Sequence, residues 1–195
     1  AVVKPNGMIG RTNVPDADAN PESIFIKYAP YIFGVSSKVF PSDTLLNMYP
    51  GNDMRMALFM PDKYRGTQLT HAIWAPFVRA NTAISTPEMF LIAAECEARV
   101  GNAQRAMALI NKLRDHRIHT NTHVVLTDKD SVLNFVLAER RRELAFNGFT
   151  RLVDLKRLNL DPRFATTVKH VGANETWVLM PNDPKYVLPI PQKVM

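Results

Sequence analysis

Two carboxylates stand one helical turn apart in the segment ERRRELAFNGFTRLVDLKR, residues 139–157. Glu139 and Glu143 would share a helix face, which brings their side chains into neighbouring range. A pair of carboxyl groups about 5 Å apart is what a retaining glycosidase uses as general acid and nucleophile. The segment also holds arginines that can pair with carboxylates in bidentate geometry, namely Arg140, Arg141, Arg142, Arg151 and Arg157. We therefore expect structural ion pairs that tie this helix to the next one, with a glycoside hydrolase as the less favoured alternative.

Other reactive side chains give weaker indications. His116, His119 and His123 could converge on a metal ion if their segment were helical, but Asp115 is the one carboxylate beside them. We expect a helix end there and no metal site. Cys96 is predicted to lie on a buried helix face as a small apolar residue, not as a nucleophile. The sequence lacks GxxxxGK[ST], GxSxG, HExxH and GxGxxG, so it indicates no cofactor and no catalytic residue.

The composition is that of a folded protein with a basic surplus. With 195 residues, of which 46% are hydrophobic, the chain can bury a core, and we expect a single domain over residues 1–195. The formal net charge of +6 permits an anionic partner. The run RRR has no aromatic residue beside it, however, as a single-stranded nucleic-acid surface would require, so we expect no nucleic-acid partner.

Prolines divide the chain into three parts. They are frequent up to Pro87, absent from Glu88 to Asp161, and frequent again from Pro162. Because proline breaks helix interiors, the long helices belong in the middle. We expect a loop-rich, aromatic-rich segment over 1–85, a helical core over 86–160 and an irregular tail over 161–195, with short strands allowed in the flanks.

The helical core begins with a predicted helical hairpin of the tetratricopeptide kind. Thr86 can cap the first helix, with Pro87 in its first turn. Gly101 ends this helix and Asn102 can cap the next, a connection short enough to make the two helices antiparallel neighbours. The predicted apolar face of the first helix comprises Met89, Ile92, Ala93, Cys96 and Val100, and that of the second comprises Ala106, Leu109, Ile110 and Leu113.

Two further helices follow in the sequence. The third can open at Thr127 or Asp128 and run to Phe146, before the stop signal formed by Asn147 and Gly148. The fourth spans about Thr150 to Leu158. The predicted fold class is therefore mainly α, with long irregular loops.

Aromatic residues concentrate between Phe25 and Phe77. Sugar rings stack their apolar faces on flat side chains, while amides and charges pair with their hydroxyl groups. On this argument Tyr28, Tyr31, Trp74 and Arg79 are the ligand-binding candidates. The alternative for each aromatic residue is that it packs a loop onto the helices.

Four segments resemble, in order, motifs of the SusD/RagB family of outer-membrane nutrient-binding lipoproteins. They are VFPSDTLLNMYPGNDMR, which ends in an aspartate and an arginine, TPEMFLIAAECEARVGNAQRAMALINKLRDHR, ERRRELAFNGFTRLVDLKR and YVLPIPQ. In the third segment, the charged positions of the family motif match Glu139, Arg140, Glu143, Arg151 and Asp154. The resemblance implies that these residues have structural roles.

The resemblance also implies a fold and a function. The implied fold is SusD-like and helical, and the implied function is noncatalytic capture of oligosaccharides or polysaccharides at the outer-membrane surface, with delivery to a SusC-like TonB-dependent transporter. The resemblance also implies that family members are longer and attach to the membrane through a lipidated cysteine near their start, so we expect this chain to correspond to their C-terminal portion. A helical-repeat scaffold for protein–protein interaction remains the alternative function.

Overall fold

A computed structural model describes residues 21–25, 40–60, 63–64, 67–68, 73–74 and 84–189, and the chain divides into two compact units, Ala1–Ala145 and Phe146–Met195. Helices dominate the described residues: α1 (Asp43–Leu46), α2 (Thr86–Val100), α3 (Ala103–Arg114), α4 (Lys129–Glu143) and α5 (Thr150–Leu158). The predicted mainly α-helical class is confirmed. The single domain over residues 1–195 stays a prediction.

Short antiparallel strand pairs accompany the helices of the first unit. β1 (Ser23–Phe25) pairs with β6 (Ile84–Ser85), β2 (Phe59–Met60) with β5 (Ile73–Trp74), and β3 (Lys63–Tyr64) with β4 (Thr67–Gln68). A 3-10 helix, Met54–Leu58, leads directly into β2. The described part of residues 1–85 consists of turns and short elements, and the loop-rich segment expected over 1–85 stays a prediction.

The connection between α2 and α3 follows the sequence signals closely. Gly101 has a φ of 90°, the left-handed conformation that glycine adopts without steric cost, and its N–H donates to the carbonyl of Ala98. Asn102 then caps α3, because its Oδ1 accepts a hydrogen bond from the N–H of Arg105 at 3.3 Å. The cap of α2 is Ser85, one residue before the predicted Thr86.

The predicted buried face of α2 is wrong. Met89, Ile92 and Val100 are exposed, and so is Cys96. The buried residues are Pro87, Leu91, Ala94, Glu95 and Ala98. Both sides of α2 are largely apolar, so helical periodicity alone could not tell which side packs against α3 and α4.

The core of the first unit lies between α2, α3 and α4. Its fully buried aliphatic side chains are Leu91, Ile110, Val132, Leu133 and Val136. Burying each such side chain contributes about 1.5 to 3 kcal/mol. On α3 the predicted residues Ala106, Ile110 and Leu113 are buried together with Met107, whereas the predicted Leu109 is half-buried.

The ends of α4 agree with the sequence at one terminus only. Asp128 caps the helix by accepting a hydrogen bond from the N–H of Ser131 at 2.8 Å, which confirms the predicted start. The helix ends at Glu143, before the predicted Phe146. Phe146 has a φ of 61°, which a right-handed helix does not allow.

The second unit contains α5, which has the predicted bounds, and a β-hairpin in the segment predicted to be irregular. β7 (Val168–Val171) pairs antiparallel with β8 (Thr176–Leu179), and a 3-10 helix (Pro184–Tyr186) buries Tyr186. Across the described parts of both units, no helix has the length and apolar character needed to cross a bilayer.

Candidate functional site

Glu139 is the centre of a buried ionic cluster in the first unit. Its side chain is fully buried on α4. Oε1 accepts a hydrogen bond from Arg55 at 2.7 Å, and Oε2 accepts from Arg142 at 2.6 Å and from Arg114 at 3.0 Å. Both oxygens of this carboxylate are therefore occupied by guanidinium donors.

Arg55 reaches Glu139 because the chain around Asp53 is held against the turn that follows α3. The N–H of Met54 donates to the carbonyl of Arg117 at 2.9 Å, and the N–H of His119 donates to the carbonyl of Asn52 at 3.0 Å. Asp53 caps the following 3-10 helix and accepts hydrogen bonds from both Nε and Nη2 of Arg55, at 2.9 and 2.7 Å. This bidentate contact orients the guanidinium toward α4.

Glu143 forms the second half of the cluster. It accepts a hydrogen bond from Nη1 of Arg55 at 2.8 Å and from Nε and Nη2 of Arg117 at 3.0 and 2.9 Å. Arg117 also binds Glu22, at 2.8 and 2.9 Å. Two arginines, Arg55 and Arg117, thus hold the Glu143 carboxylate.

Structural ion pairs are therefore present, but those described between elements join α4 to residues that precede it in the chain, and the expected pairs between this helix and the next one stay a prediction. Arg142 is a neighbour on α4 and Arg114 is the last residue of α3, whereas Arg117 lies in the turn after α3 and Arg55 comes from the 3-10 helix. In the second unit, Arg157 pairs with Asp154, with Nε 2.8 Å from Oδ1.

The surrounding charges keep Glu139 ionised. Burial alone would raise the pKa of its carboxyl group, but Arg55 and Arg142 outweigh that effect and lower the pKa to about 2. Burial likewise opposes the charge of Arg55, yet Asp53, Glu139 and Glu143 raise the pKa of its guanidinium. A carboxyl group with so low a pKa carries no proton to donate near neutral pH, so Glu139 is unsuited to general acid catalysis.

Tyr49 closes the cluster on one side. Its hydroxyl donates a hydrogen bond to the carbonyl of Arg142 at 2.8 Å, and its ring centroid lies 5.5 Å from the guanidinium carbon of Arg55. Burial raises the pKa of the Tyr49 hydroxyl above its ordinary value. The phenol therefore stays protonated and acts as a donor.

His123 and Cys96 were considered for metal binding and nucleophilic chemistry, and both lie at the surface. Nε2 of His123 lies 2.9 Å from Oδ1 of Asp115, which also accepts a hydrogen bond from Asn121 at 2.8 Å. The hydrogen bond from Asn121, followed by that from His123, lowers the pKa of Asp115. Within the described ranges, no three His, Cys, Asp or Glu side chains are grouped to hold a metal ion. Cys96 is exposed, which corrects the prediction of burial.

The predicted ligand-binding residues are mostly outside the described structure. Tyr28, Tyr31 and Arg79 lie outside the described residues. Trp74 belongs to β5, where its backbone is paired in register with Phe59 of β2. These four residues stay predictions.

One exposed aromatic residue was not singled out from the sequence. Trp177 lies on β8 directly opposite His170 of β7, with ring centroids 5.5 Å apart, and 53% of its surface is exposed. The alternating pattern VKHV, GANE, TWVL is typical of two strands joined by a short turn, and this signal could have identified the hairpin.

Comparison with known proteins identifies a family that this sequence matches. The sequence profile of the SusD family matches residues 79–195, more than half of the chain. No curated protein matches the chain significantly.

Two crystal structures from Bacteroides share the fold. A SusD-like carbohydrate binding protein from Bacteroides vulgatus superposes with a TM-score of 0.53 at 19% identity, covering 77% of this chain and 38% of its own. A SusD superfamily protein from Bacteroides fragilis superposes with a TM-score of 0.50 at 22% identity, covering 75% of this chain and 33% of its own.

The chain thus spans well under half the length of these two structures. At these identities the superpositions establish the helical fold, while the profile match establishes the relationship. This chain belongs to the SusD family.

Proposed function

We propose that the chain binds oligosaccharides or polysaccharides noncovalently at the surface of the outer membrane and delivers them to a SusC-like TonB-dependent transporter. Membership in the SusD family is the observation that carries this proposal. The description of the Bacteroides vulgatus relative as a carbohydrate binding protein supports the choice of ligand.

The contacts of Glu139 and Glu143 support a role without catalysis. A retaining glycosidase requires one carboxyl group that is protonated before the reaction and another that is free to attack the sugar. Here Glu139 is ionised and fully buried, with three arginines bound to it. Glu143 is held by Arg55 and Arg117. Both carboxylates are thus engaged in binding other parts of the first unit to α4: Glu139 binds α3 and the 3-10 helix, and Glu143 binds the 3-10 helix and the turn after α3.

We propose that Tyr28, Tyr31 and Trp74 supply stacking surfaces for sugar rings and that Arg79 pairs with hydroxyl groups. Aromatic rings contribute affinity through their apolar faces, while polar groups select among sugars by the geometry of their hydroxyls. The mechanism is reversible adsorption, because the family role requires that the glycan be released to the transporter.

Calorimetric titration of the chain with plant, host and microbial oligosaccharides tests the proposal. We expect saturable heat with at least one glycan class, reduced in a Trp74→Ala variant whose circular dichroism matches that of the wild type. No heat from any sugar would contradict glycan binding by this chain and favour the protein-interaction scaffold instead.

A parallel assay addresses the glycoside hydrolase alternative. The chain is incubated with the glycan that gives heat, and reducing ends are measured over time. We expect no release above the level without protein. Release that disappears in a Glu143→Gln variant would contradict the noncatalytic role.

A further inference from the structure

The hairpin of the second unit presents a tryptophan whose position is set by its neighbours. The N–H of Gly172 donates to the carbonyl of Glu175 at 2.8 Å and closes the turn between β7 and β8. Register places Trp177 opposite His170, and the two rings are tilted by 38° at 5.5 Å. The indole therefore has a ring neighbour across the hairpin.

Gly172 leaves room for the six-membered ring of the Trp177 indole. A Cβ atom added to Gly172 would lie 2.8 Å from Cζ3 of Trp177, closer than real Cβ contacts, and 3.1 Å from its Cη2, tighter than most of them. The φ of Gly172 is not in the left-handed region, so the backbone conformation does not require glycine at this position. What requires glycine is the space that the six-membered ring of Trp177 occupies above it.

These two contacts orient the indole without burying it. Trp177 keeps 53% of its surface exposed although His170 and Gly172 both adjoin it. An exposed aromatic ring that is already oriented loses little conformational freedom when a ligand stacks on it, which favours binding. The exposed polar residues of the same hairpin are Lys169, His170, Asn174, Glu175 and Thr176.

This combination matches the chemistry of a sugar. A pyranose ring offers one apolar face, which a single flat indole can cover, and several hydroxyls that pair with hydrogen-bond donors and acceptors. A hairpin that docks on an anionic lipid surface would need basic residues at its tip, whereas the tip between Val171 and Trp177 contains Glu175 and no basic residue.

We infer that Trp177, oriented by Gly172 and His170, is a stacking platform for a sugar ring of the glycan ligand. This inference rests on the proposed function, since it assigns a contact to the same activity. It adds a contact on the second unit that is separate in sequence from the candidates Tyr28, Tyr31, Trp74 and Arg79.

Affinity measurements on paired variants test this inference. The chain is titrated with soluble malto-, cello-, xylo- and manno-oligosaccharides, and the one that binds is then titrated against Trp177→Ala. We expect Kd to rise about tenfold, because the stacked ring is lost. Val178→Ala is the matched control, since Val178 is also exposed on β8 but has a side chain on the opposite face from Trp177. We expect this variant to bind as the wild type does.

A second variant checks the role of the glycine. Gly172→Ala leaves the indole in the chain but places a methyl group where the ring lies, so we expect a loss of affinity in the same direction as for Trp177→Ala. Circular dichroism of all variants should match that of the wild type, because the altered side chains lie on an exposed hairpin.

The outcomes separate the inference from the function on which it rests. If the wild type binds a glycan, and Trp177→Ala weakens this binding while Val178→Ala does not, both the inference and the proposed function are supported. Wild-type binding that Trp177→Ala leaves unchanged would overturn the platform and keep the proposed function. Absence of binding to every oligosaccharide would overturn both.

Discussion

Replacing Glu139 by glutamine should destabilise the first unit severely. Glutamine has nearly the same shape but no charge, and it would face three buried or nearly buried guanidinium groups, those of Arg55, Arg114 and Arg142. Removing one partner from a buried ionic cluster costs about 3 to 5 kcal/mol, because the remaining charges lose their compensation. The pKa gives a similar figure, since a fall from 4.5 to about 2 corresponds to about 3 to 4 kcal/mol at about 1.4 kcal/mol for each pKa unit.

Urea denaturation followed by circular dichroism measures this loss. With a typical slope of about 2 kcal/mol per molar urea, the midpoint of Glu139→Gln at pH 7 should fall by about 1.5 to 2.5 M. The pH dependence gives a second readout. Because the pKa of Glu139 is lower in the folded state, its stabilisation is complete above about pH 4.5 and is lost as the pH falls toward about 2. The difference in urea midpoint between the wild type and Glu139→Gln should therefore become smaller as the pH falls over that range.

A surface glutamate supplies the control. Glu97 lies 3.8 Å from Arg105, whose side chain is 67% exposed, and exposed pairs contribute at most about 1 kcal/mol. Glu97→Gln should therefore shift the midpoint little. The reasoning about the cluster would be refuted if Glu139→Gln were as stable as Glu97→Gln, or if the gap to wild type stayed constant from pH 7 to pH 3.

Two further predictions concern the ends and the outer face of α2. Gly101→Ala should lower the free energy of unfolding by about 1 kcal/mol in urea denaturation, because the φ of 90° strains any side chain. Gly51→Ala, where a Cβ meets nothing within 4 Å, is its control, and equal losses in both would contradict the argument. Cys96 should react with an aromatic disulfide reagent as completely in the native chain as in urea, since it is exposed. A thiol that reacts only after unfolding would restore the sequence prediction of burial.

Local signals in the sequence predicted most helix boundaries. Gly101, Asn102 and Asp128 act through their own backbone conformation or through hydrogen bonds to residues nearby, so their roles are independent of the rest of the fold. The end of α4 was harder to place. The residues that follow Glu143, namely Leu144, Ala145 and Phe146, are apolar and compatible with a helix, yet the helix ends at Glu143 and Phe146 has a positive φ that no local signal indicated.

The packing of α2 shows where the sequence is ambiguous. Met89, Ile92 and Val100 form one apolar side, and Leu91 and Ala98 belong to the other, so periodicity supports either face. The contacts with α3 and α4 decide between them, and such contacts are not encoded by spacing along one helix.

The ionic cluster could be predicted from the sequence only in its short-range part. Glu139 and Arg142 are close in sequence and could be paired from their spacing, whereas the contact with Arg55 depends on the backbone bridge between Asp53 and Ile118. Trp177 was missed because the aromatic residues were assessed by their density along the chain. An isolated tryptophan in a short hairpin contributes little to such a measure.

The spread of the cluster along the chain has a consequence for folding kinetics. Glu139 is three residues from Arg142 and 25 from Arg114, but 84 from Arg55. Contacts between distant residues must close long loops and tend to form late. We expect the α2–α4 core to assemble first and the 3-10 helix with Arg55 to dock after the rate-limiting barrier. Weakening the Arg55 contacts should then accelerate unfolding more than it slows folding, which makes Arg55 a determinant of how long the native state persists.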